Sequence, residues 1–113
     1  MLLAYGLLGE LMQRFVPLGV DYMGTQLAWL RDGLGLDAAV VPLPTAEAVD
    51  VNAARLAAVL AEDARPALLI GHSKGGLEGL SALLVPEAAA HCRAFLAIQS
   101  PFRGSPVADA LVA

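Results

Sequence analysis

A serine flanked by glycines in the second half of the chain has the surroundings that nucleophilic chemistry requires. The segment Gly71-His72-Ser73-Lys74-Gly75 follows the apolar run Ala67-Leu68-Leu69-Ile70 directly and leads into a helical pattern. A G-x-S-x-G sequence between a strand and a helix is typical of a nucleophile elbow, a strained turn that exposes the serine hydroxyl to an acyl group. Side chains larger than hydrogen at Gly71 and Gly75 would collide with backbone at this turn. The segment therefore predicts Ser73 as a nucleophile, and the alternative is a serine that caps the helix.

A second glycine-containing segment, Tyr5-Gly6-Leu7-Leu8-Gly9, ends the first apolar run of the chain. Acyl transfer needs backbone N–H groups that point at the developing oxyanion. One such donor belongs to the residue after the nucleophile, here Lys74, and the other to a loop after an earlier strand. Leu7 is the candidate for the second donor because the glycines around it, Gly6 among them, let the backbone approach a substrate. The alternative is an ordinary turn from strand to loop.

Short apolar runs alternate with helical patterns, and these elements must position the two segments. Strands are expected at residues 2–5, 38–41, 67–70 and 94–98. Helices are expected from Asp21, from Thr45 or Asp50, after the elbow, and from Ser105. The expected inward-facing positions of the first three helices, in chain order, are Met23, Leu27, Leu30 and Leu34; Leu56, Val59 and Leu60; and Leu77, Leu80 and Leu84. Such alternation implies right-handed crossovers and a parallel sheet with helices on both faces. The sequence predicts one three-layer α/β domain over residues 1–113.

Composition excludes several classes of function. The chain of 113 residues has a net charge of −4 and seven scattered Lys and Arg residues, which argues against nucleic acid as a partner. A single cysteine and the lack of clustered histidines and carboxylates argue against a metal site, and no cofactor is expected. No signal peptide or membrane-spanning run is visible, so the chain as written is expected to be cytoplasmic if Met1 is its native start.

The glycine-containing segments together resemble the α/β-hydrolase family, and within it the bacterial lipases and esterases. The matching pieces are residues 2–9, 71–76 and 97–109, although these lipases usually have His-Gly where this chain has Tyr5-Gly6. The resemblance implies Ser73 as nucleophile, Leu7 and Lys74 as backbone oxyanion donors, and a small-molecule or lipid ester as substrate. It also implies a partial hydrolase core of about four parallel strands in the order 2-1-3-4, with the C-terminal part of the domain missing.

The sequence offers no clear candidates for the two catalytic partners of the serine. The family's triad runs serine, acid, histidine, and both partners lie after later strands. Of the histidines, His72 lies on the elbow itself, and His91 is expected in a solvated turn at the opposite end of the sheet. Lys74 is a poor candidate for a base because adjacent side chains diverge at this turn, and Asp109 is better explained by a helix dipole. The chain alone is expected to be inactive or very weak.

Two alternatives to an ester hydrolase remain open at the level of sequence. One is a catalytically dead hydrolase-like module that binds an acyl ligand or a protein, and the other is an acyltransferase fragment, which would share the same elbow. The fourth strand is expected to be an exposed edge, since hydrolase sheets normally have more strands. Either a missing C-terminal segment or a second copy of the chain would cover that edge.

Overall fold

The fold was examined in a computed structural model that describes residues 2–4, 24–104, 106, 109 and 110. The predictions for Gly6, Leu7, Met23 and Ser105 lie outside the described residues, as does the predicted helix start at Asp21.

A parallel sheet forms the centre of the described structure. Its strands are β1 (Leu2–Ala4), β2 (Ala39–Val41), β3 (Ala67–His72) and β4 (Cys92–Ile98), and they lie in the order β2-β1-β3-β4. Every neighbouring pair is parallel, with Leu3 opposite both Val40 and Ile70. The predicted sheet and its strand order are confirmed, and β3 and β4 are each two residues longer than the apolar runs indicated.

Helices cover both faces of the sheet, as predicted. On one face, α1 (Gly24–Ala28) continues into a π-helical turn (Trp29–Gly33). The other face carries α2 (Val49–Glu62), α3 (Lys74–Ala82) and α4 (Pro86–His91). Helix α4 was not predicted. Pro86 opens α4, because proline's fixed φ suits the first turn of a helix.

The larger hydrophobic core lies between the sheet and helices α2 to α4. Leu56, Leu60 and Leu69 are almost completely buried there. The prediction that Val59 faces inward is wrong, because this side chain is 37% exposed and Ala53 and Ala57 take the inner positions. Helix α2 therefore packs closely through small residues.

The predicted leucine stripe after the elbow is wrong at two of its three positions, and Leu77 is half-buried. Leu80 is 47% exposed, and Leu84 lies beyond the end of α3 and is 78% exposed. The buried positions of this helix are Gly75, Gly76, Glu78, Gly79 and Ala82. Glycine and alanine bring the α3 backbone close to the sheet, so the leucines point elsewhere.

The first helix has a narrower buried surface than its sequence indicates. Leu30 is buried with Ala38, and Leu27 packs against them, whereas Leu34 is 52% exposed. Leu34 follows the π-helical turn, and its N–H donates to the carbonyl of Trp29 at 3.1 Å. A π-helical turn rotates later positions relative to an α-helix, so Leu34 leaves the stripe.

Candidate active site

Ser73 lies at the carboxyl edge of the sheet, between the last residue of β3 and the first residue of α3. Its backbone has φ 55° and ψ −124°, a conformation that residues with a side chain rarely adopt. Its N–H donates to the carbonyl of Ile98 at 2.9 Å, and its own carbonyl accepts from the N–H of Gly76 at 3.0 Å. The turn is thus held in its strained form by β4 on one side and α3 on the other.

Gly71 and Gly75 meet at this turn, as the sequence predicted. A Cβ on Gly71 would lie 2.6 Å from the carbonyl oxygen of Gly75 and 2.7 Å from the Cα of Gly76. Backbone atoms cannot move aside as the end of a flexible side chain can. A glycine at position 71 is therefore required for the strand to approach the helix that follows Ser73.

The loop after β4 packs against the same turn. A Cβ on Gly76 would overlap the side chain of Ser100, whose Cβ would be only 2.6 Å away. The Ser100 hydroxyl lies 3.4 Å from the carbonyl of Ile98, to which it donates, and that carbonyl also accepts from the Ser73 N–H. Ser100 is half-buried. The structure thus places this serine against the first turn of α3.

The side chain of Lys74 points away into a buried polar network. Its Nζ lies 2.8 Å from Oε1 of Glu78 and donates to the carbonyls of Thr45 and Glu47. Glu78 is 1% exposed and also accepts from Nδ2 of Asn52, at 2.8 Å. An ammonium group has three N–H donors, and all three are used here. These contacts direct the Lys74 side chain to Glu78 and to the loop carbonyls.

Sequence reasoning missed Glu78 and Asn52. Glu78 stands four residues after Lys74 on a helix, a spacing that favours an ion pair and was an available signal. Asn52 lies 26 positions from Glu78 and gave no such signal.

The predicted start of α2 at Thr45 or Asp50 is also wrong. The N-cap of this helix is Ala48, which makes no side-chain hydrogen bond. Lys74 binds the Thr45 and Glu47 carbonyls in the loop that leads into this helix.

The two histidines lie at opposite edges of the sheet. His72 is the last residue of β3, and its Nε2 is 3.1 Å from Oε1 of Gln99. His91 ends α4 and directly precedes Cys92, which pairs with Ala67 at the amino edge. At about 3.3 Å per residue, the length of β3 separates that edge from Ser73.

His91 differs in detail from its prediction as a solvated turn residue. It belongs to a helix, is half-buried, and its Nδ1 donates to the carbonyl of Leu60 at 2.9 Å. Its predicted place at the edge opposite Ser73 is correct. A structural contact with α2 therefore accounts for this histidine.

A cavity of about 380 Å³ also lies at the amino edge, away from Ser73. Arg65 on its rim is bound on both sides by carboxylates, with Nη1 2.7 Å from Asp37 and Nη2 2.7 Å from Asp63. Hydrogen bonds from the Arg65 side chain and backbone lower the pKa of Asp63 to about 2. These charges satisfy one another and tie the start of β2 to the start of β3. We assign no catalytic role to this cavity.

The described residues contain neither a candidate metal site nor a helix that could span a membrane. Within residues 2–4, 24–104, 106, 109 and 110, no group of three or more His, Cys, Asp and Glu side chains is arranged to hold a metal ion. In the same part of the chain, no helix combines the length and apolar character needed to cross a bilayer. Asp109 is helical and exposed, in line with its interpretation as a residue of a new helix.

Two solved structures of one bacterial lipase are similar to this chain. The mature form of the Bacillus licheniformis lipase BlEst2 has a TM-score of 0.78 and 28% sequence identity, over 99% of this chain and 44% of the lipase. The fold of this chain matches part of a lipase fold. The propeptide form of BlEst2 has a TM-score of 0.78 and 29% sequence identity, over 99% of this chain and 24% of the propeptide-form chain. No protein-family model and no curated protein matches the sequence.

The lipase-like fold confirms the resemblance drawn from the sequence. Nearly every residue of this chain has a counterpart in BlEst2, so the match includes the sheet and the helices on both of its faces. The chain spans less than half the length of the mature lipase.

Proposed function

We propose that the chain carries the nucleophile of a lipase- or esterase-like serine hydrolase that acts on carboxylic esters, and that this nucleophile is Ser73. The observation that carries the proposal is the backbone of Ser73, with φ 55° and ψ −124° between a parallel strand and a helix. Strain of this kind costs about 1–3 kcal/mol and persists where the surrounding structure enforces it, often at active sites. The similarity to a lipase adds support from the fold.

In the proposed reaction the Ser73 hydroxyl attacks the ester carbonyl, and the negative charge moves to the carbonyl oxygen. The N–H of Lys74 is the first amide of α3, where helices leave amides without an acceptor in the helix. We propose this N–H and that of Leu7 as the oxyanion donors. A general base takes the hydroxyl proton and gives it to the alcohol that leaves when the intermediate collapses. Water then hydrolyses the acyl-enzyme that remains.

The general base is proposed to come from outside these 113 residues. The sequence has two histidines, and His91 lies at the far edge of the sheet, bonded to Leu60. His72 precedes the nucleophile, and its ring contacts Gln99. Loss of a triad member lowers turnover by about 10⁴-fold or more. We therefore expect the 113-residue chain to hydrolyse esters very slowly or not at all.

A fluorophosphonate probe tests the nucleophile without requiring turnover. The serine oxygen displaces fluoride from phosphorus, and the modified peptide is identified by mass spectrometry. We expect slow, stoichiometric labelling at Ser73 and none in the Ser73→Ala variant. Ser81 and Ser100 serve as internal controls, because they lie in a helix and a loop of the same chain.

Two results would count against this proposal. Labelling spread equally over Ser73, Ser81 and Ser100 would show that Ser73 has no special reactivity. No labelling of the folded chain would favour the alternative of a hydrolase-like binding module. Fast ester hydrolysis that is lost in Ser73→Ala would confirm the nucleophile and contradict the proposed origin of the base.

A further inference from the structure

The side chains of three residues behind the elbow form a buried polar cluster, and the proposed reaction does not use these side chains. Lys74 and Glu78 belong to α3, and Asn52 belongs to α2. Asn52 is 0% exposed and Glu78 is 1% exposed, whereas Lys74 is partly buried. We call Lys74, Glu78 and Asn52 the loop clamp. Besides their contacts with Glu78, Lys74 Nζ and Asn52 Nδ2 donate to carbonyls of a single loop.

That loop, residues 42–48, follows β2 at the same edge of the sheet as Ser73. Lys74 Nζ holds its carbonyls at Thr45 and Glu47, and Asn52 Nδ2 holds its carbonyl at Pro44 with a distance of 2.8 Å. The Glu78 carboxylate joins the two donors through its Oε1, at 2.8 Å from each. Three carbonyls of the loop are therefore linked to the elbow helix, two of them directly through Lys74 and the third through Asn52.

General energetics indicate that this cluster is not needed for stability. Removing two charges from water is costly, and replacing a buried ion pair by apolar residues of similar volume is often neutral or stabilising. A buried ion pair does, however, impose a defined geometry on its donors and acceptors. What it orients here is the residue directly after Ser73, whose own N–H is a proposed oxyanion donor.

We propose that Lys74 is a positioning residue for the nucleophile, and that Glu78 and Asn52 hold its side chain so that the 42–48 loop and the elbow keep one relative orientation. The inference rests on the proposed function of Ser73. Active-site groups need to be held within roughly 0.5 Å and 10–20° of their productive geometry. A tether on the side chain of Lys74 restricts rotation of the same residue's backbone N–H.

The decisive variant is the double substitution Lys74→Met with Glu78→Leu, which replaces the ion pair by apolar side chains. We expect this variant to fold, because it leaves no unpaired charge buried. The rate of fluorophosphonate labelling at Ser73 should fall about 10- to 100-fold, since small misplacements of reacting groups have effects of this size. Backbone amides of residues 45–48 should exchange with deuterium at least about tenfold faster, because the loop loses its tether.

Arg65→Met is the matched control, because it removes two ion pairs at the opposite edge of the sheet. It should leave both the labelling rate and the amide exchange of residues 45–48 at wild-type values. Lys74→Met with Glu78→Gln is the second variant, in case the first does not fold. It removes both charges and keeps an acceptor for Asn52, and we expect changes in the same directions.

A folded clamp variant whose labelling and exchange both match the wild type would overturn the inference. Faster exchange with an unchanged labelling rate would overturn the positioning role, since the loop would then move without affecting Ser73. If wild-type Ser73 resists the probe, the proposed function fails on its own. The exchange comparison then decides by itself whether the clamp holds the loop at the elbow.

Discussion

Ser73 holds a backbone conformation that a glycine would adopt with less strain. At φ 55° the serine Cβ is crowded by its own backbone, at a cost of about 1–3 kcal/mol. Glycine avoids this strain but loses about 0.5–1 kcal/mol through its more flexible unfolded state. We predict that Ser73→Gly raises the free energy of unfolding by about 0.5–2 kcal/mol, measured by urea denaturation, while phosphonate labelling is abolished.

Ser81→Gly provides the control for this prediction. Ser81 lies inside α3, where glycine weakens a helix by roughly 0.5 kcal/mol relative to serine. The two substitutions should therefore change stability in opposite directions. Equal destabilisation by both would show that the turn at Ser73 is not strained, and would remove the main support for the proposed nucleophile.

The ion pairs of Arg65 with Asp37 and Asp63 make the stability of the folded chain depend on pH. Hydrogen bonds from Arg65 lower the pKa of Asp63 from 3.8 to about 2, and they also lower the pKa of Asp37. The unfolded chain therefore binds more protons than the folded chain between these pKa values, so stability falls as the pH falls through this range. The contribution is fully present above about pH 4 and is lost below pH 2.

We predict that Asp63→Asn lowers the unfolding midpoint at pH 6 and flattens its decrease between pH 5 and pH 2. The thermal midpoint of both proteins, followed by circular dichroism across this range, measures the effect. The groups are exposed, so the difference should shrink in 1 M salt. Parallel curves for the two proteins would mean that Arg65 does not stabilise the ionised form of Asp63.

At the scale of elements, the joint between β3 and α3 depends on the absence of a side chain at position 71. We predict that Gly71→Ala destabilises the chain by about 1–3 kcal/mol, the usual range for overpacking, because its Cβ would lie 2.6 Å from backbone. Urea denaturation measures this change. Gly33→Ala is the control, since its Cβ would meet the exposed Trp29 ring at 3.0 Å, and that ring can move.

A Gly33→Ala variant as destabilised as Gly71→Ala would contradict the claim that the joint is especially tight. Because the turn also orients Ser73, the labelling rate in Gly71→Ala should fall even under conditions where the protein remains folded. The same rate should be unchanged in Gly33→Ala, which lies in the π-helical turn on the other face of the sheet.

The sequence was a better guide to which elements form than to which faces they bury. Regular spacing placed Leu56 and Leu60 of α2 correctly, but it also placed Val59, Leu80 and Leu84 inward, where the structure exposes them. Periodicity identifies an apolar side of a helix, but burial depends on what packs against that helix. Helix α3 lies close to the sheet through glycines, so its leucines find no room on the sheet-facing side.

At the scale of the whole molecule, β4 is the outer strand of the sheet within the part of the chain that the structure describes. Leu96 and Ile98 on this strand are 53% and 40% exposed. An exposed apolar edge strand pairs readily with another chain. We predict concentration-dependent self-association of the 113-residue chain through β4, measured by sedimentation velocity.

Leu96→Lys should shift this association toward monomer, since lysine on an edge strand opposes pairing. Leu84→Lys is the matched control, because Leu84 is 78% exposed but lies beyond the end of α3 rather than on the strand. A wild-type chain that stays monomeric at all concentrations would contradict the prediction. Equal effects of the two lysines would indicate association through general hydrophobicity.

The sequence alone determined the alternation of strands and helices, the parallel direction of the strands and the tight turn around Ser73, while the strand order followed from the family resemblance. These features depend on neighbouring residues: an apolar run, a turn between glycines and the chirality of short crossovers. Only the tertiary structure decided the inward faces of α2 and α3, the role of the Lys74 side chain and its link to Asn52. Those features join residues 26 to 29 positions apart, and no local pattern specifies which distant groups will meet.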